Sequence, residues 1–190
     1  MLFRSANNVA PWVIAFERKR RPGTRLVIEQ SGLITLEAPG GAFTLTAKAD
    51  RIEARADAAH ILDYKTGSAP SIKQVKAGLS PQLTLTAAIL SAGGFEDLGS
   101  LAPDELVYVR VSGGRIPGRE EPRGAGEETL AMAAAALAGL KKRIDWFDQL
   151  ETGYVSWATP QFIGRYSGDY DHLARLWEWH VIGEDEEPGE

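Results

Sequence analysis

Three blocks of sequence decide how this chain folds: Ala49-Asp50-Arg51-Ile52, then Ile61-Leu62-Asp63-Tyr64-Lys65-Thr66-Gly67, then Ser80-Pro81-Gln82-Leu83. The first two read as strands. Phe43, Leu45, Ala47 and Ala49 alternate with Thr44, Thr46, Lys48 and Asp50, the period-two pattern of a half-buried strand over residues 42–55. A second strand is expected over residues 59–65. A tight hairpin at Ala56-Asp57 would set residues equally far from the turn opposite one another, and Asp50 and Asp63 satisfy that condition. Their Cβ atoms would then lie about 5 Å apart on one face.

Two carboxylates so placed repel each other unless a positive group sits between them. A divalent cation is the economical answer, because hard cations take oxygen ligands. Side chains two apart on a strand share a face, so Lys65 points the same way as Asp63 and Tyr64 the other way. The Lys65 ammonium can contact a phosphate oxygen and an attacking water. The backbone carbonyl of Tyr64 is a further candidate metal ligand. Gln82 falls in the first turn of a helix, where its amide can bond that water, Lys65 or a phosphate and nearby backbone N–H groups favour an anion. Metal, nucleophile and substrate anion together make the set needed for in-line attack of water on a phosphodiester. The plainer alternative for Asp63 and Lys65 is a surface ion pair.

Outward from these blocks, residues 11–21 read as a helix stopped by Pro22-Gly23. Strands are expected over residues 24–30 and 33–37, around a turn at Ser31-Gly32. Ser71 and Gln74 have the spacing of a capping box, and Gly78 can end that helix. Ser80 is expected to cap the next helix, with Pro81 in its first turn and Gly93-Gly94 closing it. Residues 106–111 read as a strand of period two, and residues 118–126 as a polar loop. A long helix covers residues 127–150, with Leu130, Leu137, Leu140, Ile144 and Phe147 on one stripe. A shorter helix is expected over residues 170–180. The order implies an α/β fold of mixed character, a mixed sheet flanked by helices. Residues 1–183 read as a single domain and residues 184–190 as a disordered acidic tail.

The chain has 190 residues, a net charge of −5 and no cysteine. The absence of cysteine excludes disulfides, thiolate-held zinc or iron–sulfur clusters and thiol nucleophiles, and fits a cytoplasmic setting. No apolar run is long enough to span a membrane, and residues 1–10 have no signal-peptide segment. The negative charge disfavours a free-standing nucleic-acid binder, so a larger assembly is expected to supply part of the grip on phosphates. The basic bunches at residues 18–21 and 141–143 read as solvated helix ends.

The ordered pattern Ala49-Asp50-Arg51-Ile52, Asp-Tyr-Lys-Thr-Gly and Gln-Leu resembles the RecB-type branch of the PD-(D/E)xK nucleases. It is similar in particular to the C-terminal nuclease domain of AddB-type subunits of bacterial AddAB helicase–nucleases. Residues 45–52, 63–70 and 78–83 carry that likeness, and residues 168–175 resemble the AddB tail of the alphaproteobacterial type. The resemblance spans most of residues 12–179. It implies a restriction-endonuclease-like fold with a central mixed sheet between helices. It also implies Mg2+-dependent cleavage of DNA (Mn2+ substituting) during end resection in double-strand break repair. An AddA-type helicase–nuclease subunit and the rest of an AddB-type chain would be the partners. By motif, Asp50 and Asp63 become metal ligands, Lys65 the catalytic lysine and Gln82 the glutamine of the following motif.

Three departures stand out. The family's further His or Glu upstream has only Glu17 and Glu29 as candidates here. Thr86 stands where a tyrosine often follows the glutamine. The four cysteines that hold an iron–sulfur cluster in some AddB proteins are missing, so no iron–sulfur cluster is expected. His172 reads as a capping or packing residue and His60 as structural, facing away from Asp63. Trp12, Trp146, Trp157, Trp177 and Trp179 read mainly as packing residues. Ser112-Gly113-Gly114 is a turn without phosphate-loop spacing, and no nucleotide-binding motif is present. Two other readings stay open: a catalytically silent module that docks a partner or tracks single-stranded DNA, and a standalone exonuclease with the same chemistry.

Overall fold

The computed structural model describes residues 2–153, with side chains described from residue 8 onward. The expected helix over residues 170–180, the acidic tail, His172, Trp157, Trp177 and Trp179 lie outside the described residues. Met1–Asp148 form one compact unit and Gln149–Glu190 a second. The elements run α1 (Leu2–Arg20), β1 (Arg25–Leu36), β2 (Phe43–Ala54), β3 (Ala58–Lys65), α2 (Ile72–Lys76), α3 (Gln82–Ser91), β4 (Ala102–Val111), β5 (Gly118–Ala125) and α4 (Glu127–Phe147). All belong to the first unit. No described helix is long and apolar enough to cross a membrane.

The five strands form one sheet in the order β1-β2-β3-β4-β5. The β3–β4 pair is parallel and the other three are antiparallel, so the sheet is mixed. The parallel step is bridged by α2 and α3, as parallel neighbours require a long crossover. Leu62, Val107 and Val109 pack under Phe16 of α1 on one face. Ile61, Leu106 and Tyr108 pack with Leu83, Ala87 and Ile89 of α3 and Ala133 of α4 on the other. Residues 106–109 are all fully buried, so β4 carries no period-two pattern: it is a central strand covered on both faces.

Several local expectations are corrected. Ser31-Gly32 is no turn; β1 runs straight through it, and the glycine is needed because a Cβ there would sit 2.6 Å from the Phe95 ring. Residues 118–125 are no loop but the edge strand β5, whose charged side chains pair with each other and with α1. Such charge is ordinary on an edge that must resist further pairing. Leu130 is half exposed, and the buried face of α4 is Thr129, Ala133 and Ile144. The capping box of Ser71 and Gln74 is present. Ser80 does not cap α3. Its N–H still bonds Gln74 O at the end of α2, so the N-cap position falls to Pro81. The Gly93 and Gly94 N–H groups close α3 onto Leu90 and Ile89.

Arg20 is not a solvated helix end either; it is 6% exposed. It donates to Glu53 at 3.0 Å, Glu105 at 2.6 Å and Glu120 at 2.6 Å, tying α1 to β2, β4 and β5. His60 lies in the same cluster, 3.1 Å from Asp104 and 3.3 Å from Glu105. The Glu53 carboxylate, 3.6 Å away, raises the His60 pKa above 6.5, helped by Glu105 and Asp104 and opposed by burial and Arg20. For Glu53, burial acts to raise the pKa but is outweighed by His60, Arg20 and Arg51, so it falls below 4.5. A histidine held above its unfolded value stabilises the fold fully below that value and loses the contribution as pH rises through the folded one. Denaturant unfolding from pH 6 to 9 should therefore show a stability decline in the wild type that flattens in H60Q; equal slopes would contradict the placement of His60.

Candidate active site

β2 and β3 pair as Ala54–Ala59, Glu53–His60, Ile52–Ile61 and Arg51–Leu62, the register expected from a turn at Ala56-Asp57. Alternate pairs in such a ladder exchange backbone hydrogen bonds. Arg55 N–H bonds Ala58 O at 2.8 Å, so the exchanging pairs are 55/58, 53/60 and 51/62, and 49/64 would be next. That pair is not made. Instead the Tyr64 N–H donates to Asp50 Oδ2 at 2.9 Å. The cause is a bend. Ala49 and Ile52 both face the same core, so β2 changes phase between them. Across from Asp50 in the β1 register, Glu29 has φ +54°, a strained value for a non-glycine residue. The bend releases Asp50 from strict alternation, and its carboxylate occupies the place a backbone carbonyl would have taken.

Asp63 is 4% exposed and faces α3. Gln82 Nε2 donates to its Oδ1 at 2.5 Å, and the Lys65 ammonium lies 2.7 Å from its Oδ2. Lys65 also donates to Gln82 Oε1 at 3.2 Å, which closes a three-membered ring of side chains. Gln82 reaches this point because it is the first residue of α3, which begins where the chain returns to the sheet. Burial pushes the Asp63 carboxyl up from its ordinary value; Lys65 opposes this, Asp50 adds to it, and Gln82 opposes it. The site is thus short of positive charge, with one ammonium facing two carboxylates.

Sequence reasoning missed two contributors. Tyr108 is the β4 neighbour of Asp63, and its ring centre lies 5.6 Å from the Lys65 ammonium. Its hydroxyl is buried with no hydrogen-bond partner among the described residues. Burial and Asp63 push its pKa up to about 12 against the pull of Arg123, so it stays a proton donor. The buried strand over residues 106–111 was legible, and an aromatic polar residue within it was the available signal. Arg123 is the other, with Nε donating to Pro70 O at 2.6 Å and tethering the loop after Lys65 to β5.

The structure brings Asp63, Lys65 and Gln82 together; Asp50 does not pair with Asp63 in the strand ladder as expected but bonds the N–H of Tyr64, the residue between Asp63 and Lys65. It does not bring the two upstream candidates to them. Glu17 pairs with Arg51 and Glu29 with Lys48. Thr86 bonds back to Gln82 O at 2.7 Å within its own helix. Among the described residues no third His, Cys, Asp or Glu joins the two carboxylates. The all-oxygen character of Asp50 and Asp63 suits magnesium or manganese better than zinc.

A family model for the PD-(D/E)XK nuclease superfamily matches residues 4–159. The chain belongs to that superfamily, and its mixed sheet between helices is the fold expected of it. Among curated proteins, an uncharacterized protein of Rickettsia bellii is 36% identical over 92 residues, covering 47% of this chain and 11% of that protein. One from Rickettsia typhi is 37% identical over 102 residues, 52% of this chain and 12% of that protein. The chain thus spans about a tenth of the length of these relatives. Among solved structures, the crystal structure of SSO0001 aligns with a TM-score of 0.38 and 14% identity, over 69% of this chain and 57% of that one.

Since burial is the largest influence on Asp63, removing its charge while keeping its shape should stabilise the metal-free protein. D63N is expected to raise the Tm at neutral pH. A lower Tm for D63N by calorimetry would show that Lys65 and Gln82 more than offset the cost of burial.

Proposed function

We propose that this chain is a metal-dependent DNA nuclease domain that hydrolyses phosphodiester bonds within a larger cytoplasmic helicase–nuclease, in end resection and recombinational repair. The observation that carries the reading is the buried Asp63 carboxylate, held between Lys65 and Gln82, with Asp50 bonded to the N–H of the next residue, Tyr64. Superfamily membership supports the reaction class, and the length of the relatives supports a larger subunit. The AddB-like motifs make an AddA-type subunit the proposed partner, with DNA as substrate.

Asp50 and Asp63 would hold Mg2+, with the Tyr64 carbonyl as a further ligand. In a strand the N–H and C=O of one residue leave on the same side, and the Tyr64 N–H already faces Asp50. When bound, the cation polarises the phosphate and lowers the pKa of the attacking water. Lys65, 2.7 Å from Asp63 and partly exposed, would be the group that reaches a non-bridging phosphate oxygen. There it offsets the charge that builds as water adds to phosphorus and the bond to the leaving oxygen breaks. Gln82, whose amide already lies against Asp63 and Lys65, would orient that water.

Cleavage of linear duplex DNA with Mg2+ tests the reading. D63A and K65A should each lose about 100-fold or more in rate while remaining folded by circular dichroism. Undiminished cleavage by D63A would end it. The absence of a third acidic or histidine ligand among the described residues favours one rival, a silent module that docks a partner or follows single-stranded DNA. Calorimetry with Mn2+ separates the two: binding by the wild type that is lost in D50A supports the nuclease, and no binding by the wild type supports the silent module.

A further inference from the structure

The middle residues of the two acidic blocks, Arg51 and Tyr64, point away from Asp63 and meet on the α1 side of the sheet. Arg51 is 3% exposed. Its guanidinium donates to Glu53 Oε1 at 2.8 Å, to the Tyr64 hydroxyl at 3.1 Å and to both Glu17 oxygens, the second at 3.3 Å. It also lies 5.2 Å from the centre of the Phe16 ring. Burial works against its charge, but Glu17, Tyr64 and Glu53 hold it firmly protonated.

Tyr64 is therefore gripped twice. Its hydroxyl is held by Arg51 from behind the sheet, and its N–H is held by Asp50. The backbone pairing of β2 with β3 stops at Arg51–Leu62, and beyond that point these two contacts carry the register onward. They sit one residue from Asp50 on one strand and one residue from both Asp63 and Lys65 on the other. Glu17, which does not reach the acidic pair, instead fixes the arginine that fixes the tyrosine.

We propose that Glu17, Arg51 and Tyr64 form a clamp behind the sheet that positions Asp50 against Asp63, so that the seating of α1 sets the cation affinity of the opposite face. The three are positioning residues. The cation half of this statement rests on the proposed function; the positioning half does not.

The test uses the full chain and two readouts. The first is amide hydrogen exchange without metal. In E17Q and Y64F the Tyr64 amide should exchange about 10-fold faster, while the amides of Ile61 and Val107 keep their wild-type rates. The second is Mn2+ calorimetry, where both variants should bind roughly 10-fold more weakly, the usual cost of disturbing groups behind a metal ligand. I144V, which loosens α4 alone, should change neither, and Glu17, being 29% exposed, can lose its charge without unfolding the protein. Unchanged Tyr64 exchange in both variants, or an equal rise at every amide of β3, overturns the clamp. Faster Tyr64 exchange in a protein whose wild type binds no Mn2+ overturns the proposed function and the cation half, and supports the positioning half.

Discussion

A carboxylate taken out of water and left facing a second one is the constraint on which the rest of this structure turns. Asp63 is buried by α3 and β4, and its charge is answered by one ammonium and one amide. Burial of that kind disfavours the charged form, and only nearby positive charge reverses the effect. Every element around it has a part in keeping the arrangement. α3 must start at Gln82, β2 must bend at Asp50, and the β3–β4 pair must be parallel so that the chain returns past α3 before entering the sheet again. A fold built only for stability would place an apolar residue at position 63.

The sheet separates two collections of charge that behave differently. On the α1 side, Arg20, Arg51, Glu17, Glu53, His60, Glu105 and Glu120 join in one network, and each buried arginine has at least two carboxylate partners. Such a cluster is costly to break but self-contained. On the α3 side one ammonium answers two carboxylates, and the Tyr108 hydroxyl beneath Lys65 is buried with no partner among the described residues. A satisfied network points to structure. An unsatisfied one, with perturbed carboxyl and phenol groups, points to a ligand that completes it.

Much of this was legible in the residues. The hairpin register followed from the two-residue turn, because side-chain period and turn length leave little freedom. The capping box of α2 followed from Ser71 and Gln74 alone. What escaped had physical reasons. Ser31-Gly32 has the composition of a turn, but the glycine is there to make room for Phe95, a contact distant in sequence. β5 is an edge strand whose polar side chains satisfy one another, so it lacks the apolar alternation by which strands are read. Arg20 and Arg51 look like surface charge until their carboxylate partners are seen to converge from α1, β2, β4 and β5.

The bend in β2 was written in the sequence as a change of phase. Phe43, Leu45, Ala47 and Ala49 keep odd positions toward one face, and Ile52 and Ala54 continue the apolar run on even ones. A strand cannot change phase without an irregularity, and the residue caught at the change loses its assigned face. Here that residue is Asp50. Its carboxylate, released from the alternation, takes over the Tyr64 N–H that Ala49 would have bonded, and so comes to the edge of the site rather than to either face. The same step turns Arg51 inward behind the sheet, where a regular strand would have turned it toward the core of α3. One irregularity therefore generates both halves of the arrangement, the acidic pair in front and the arginine behind it, and ties their geometry together.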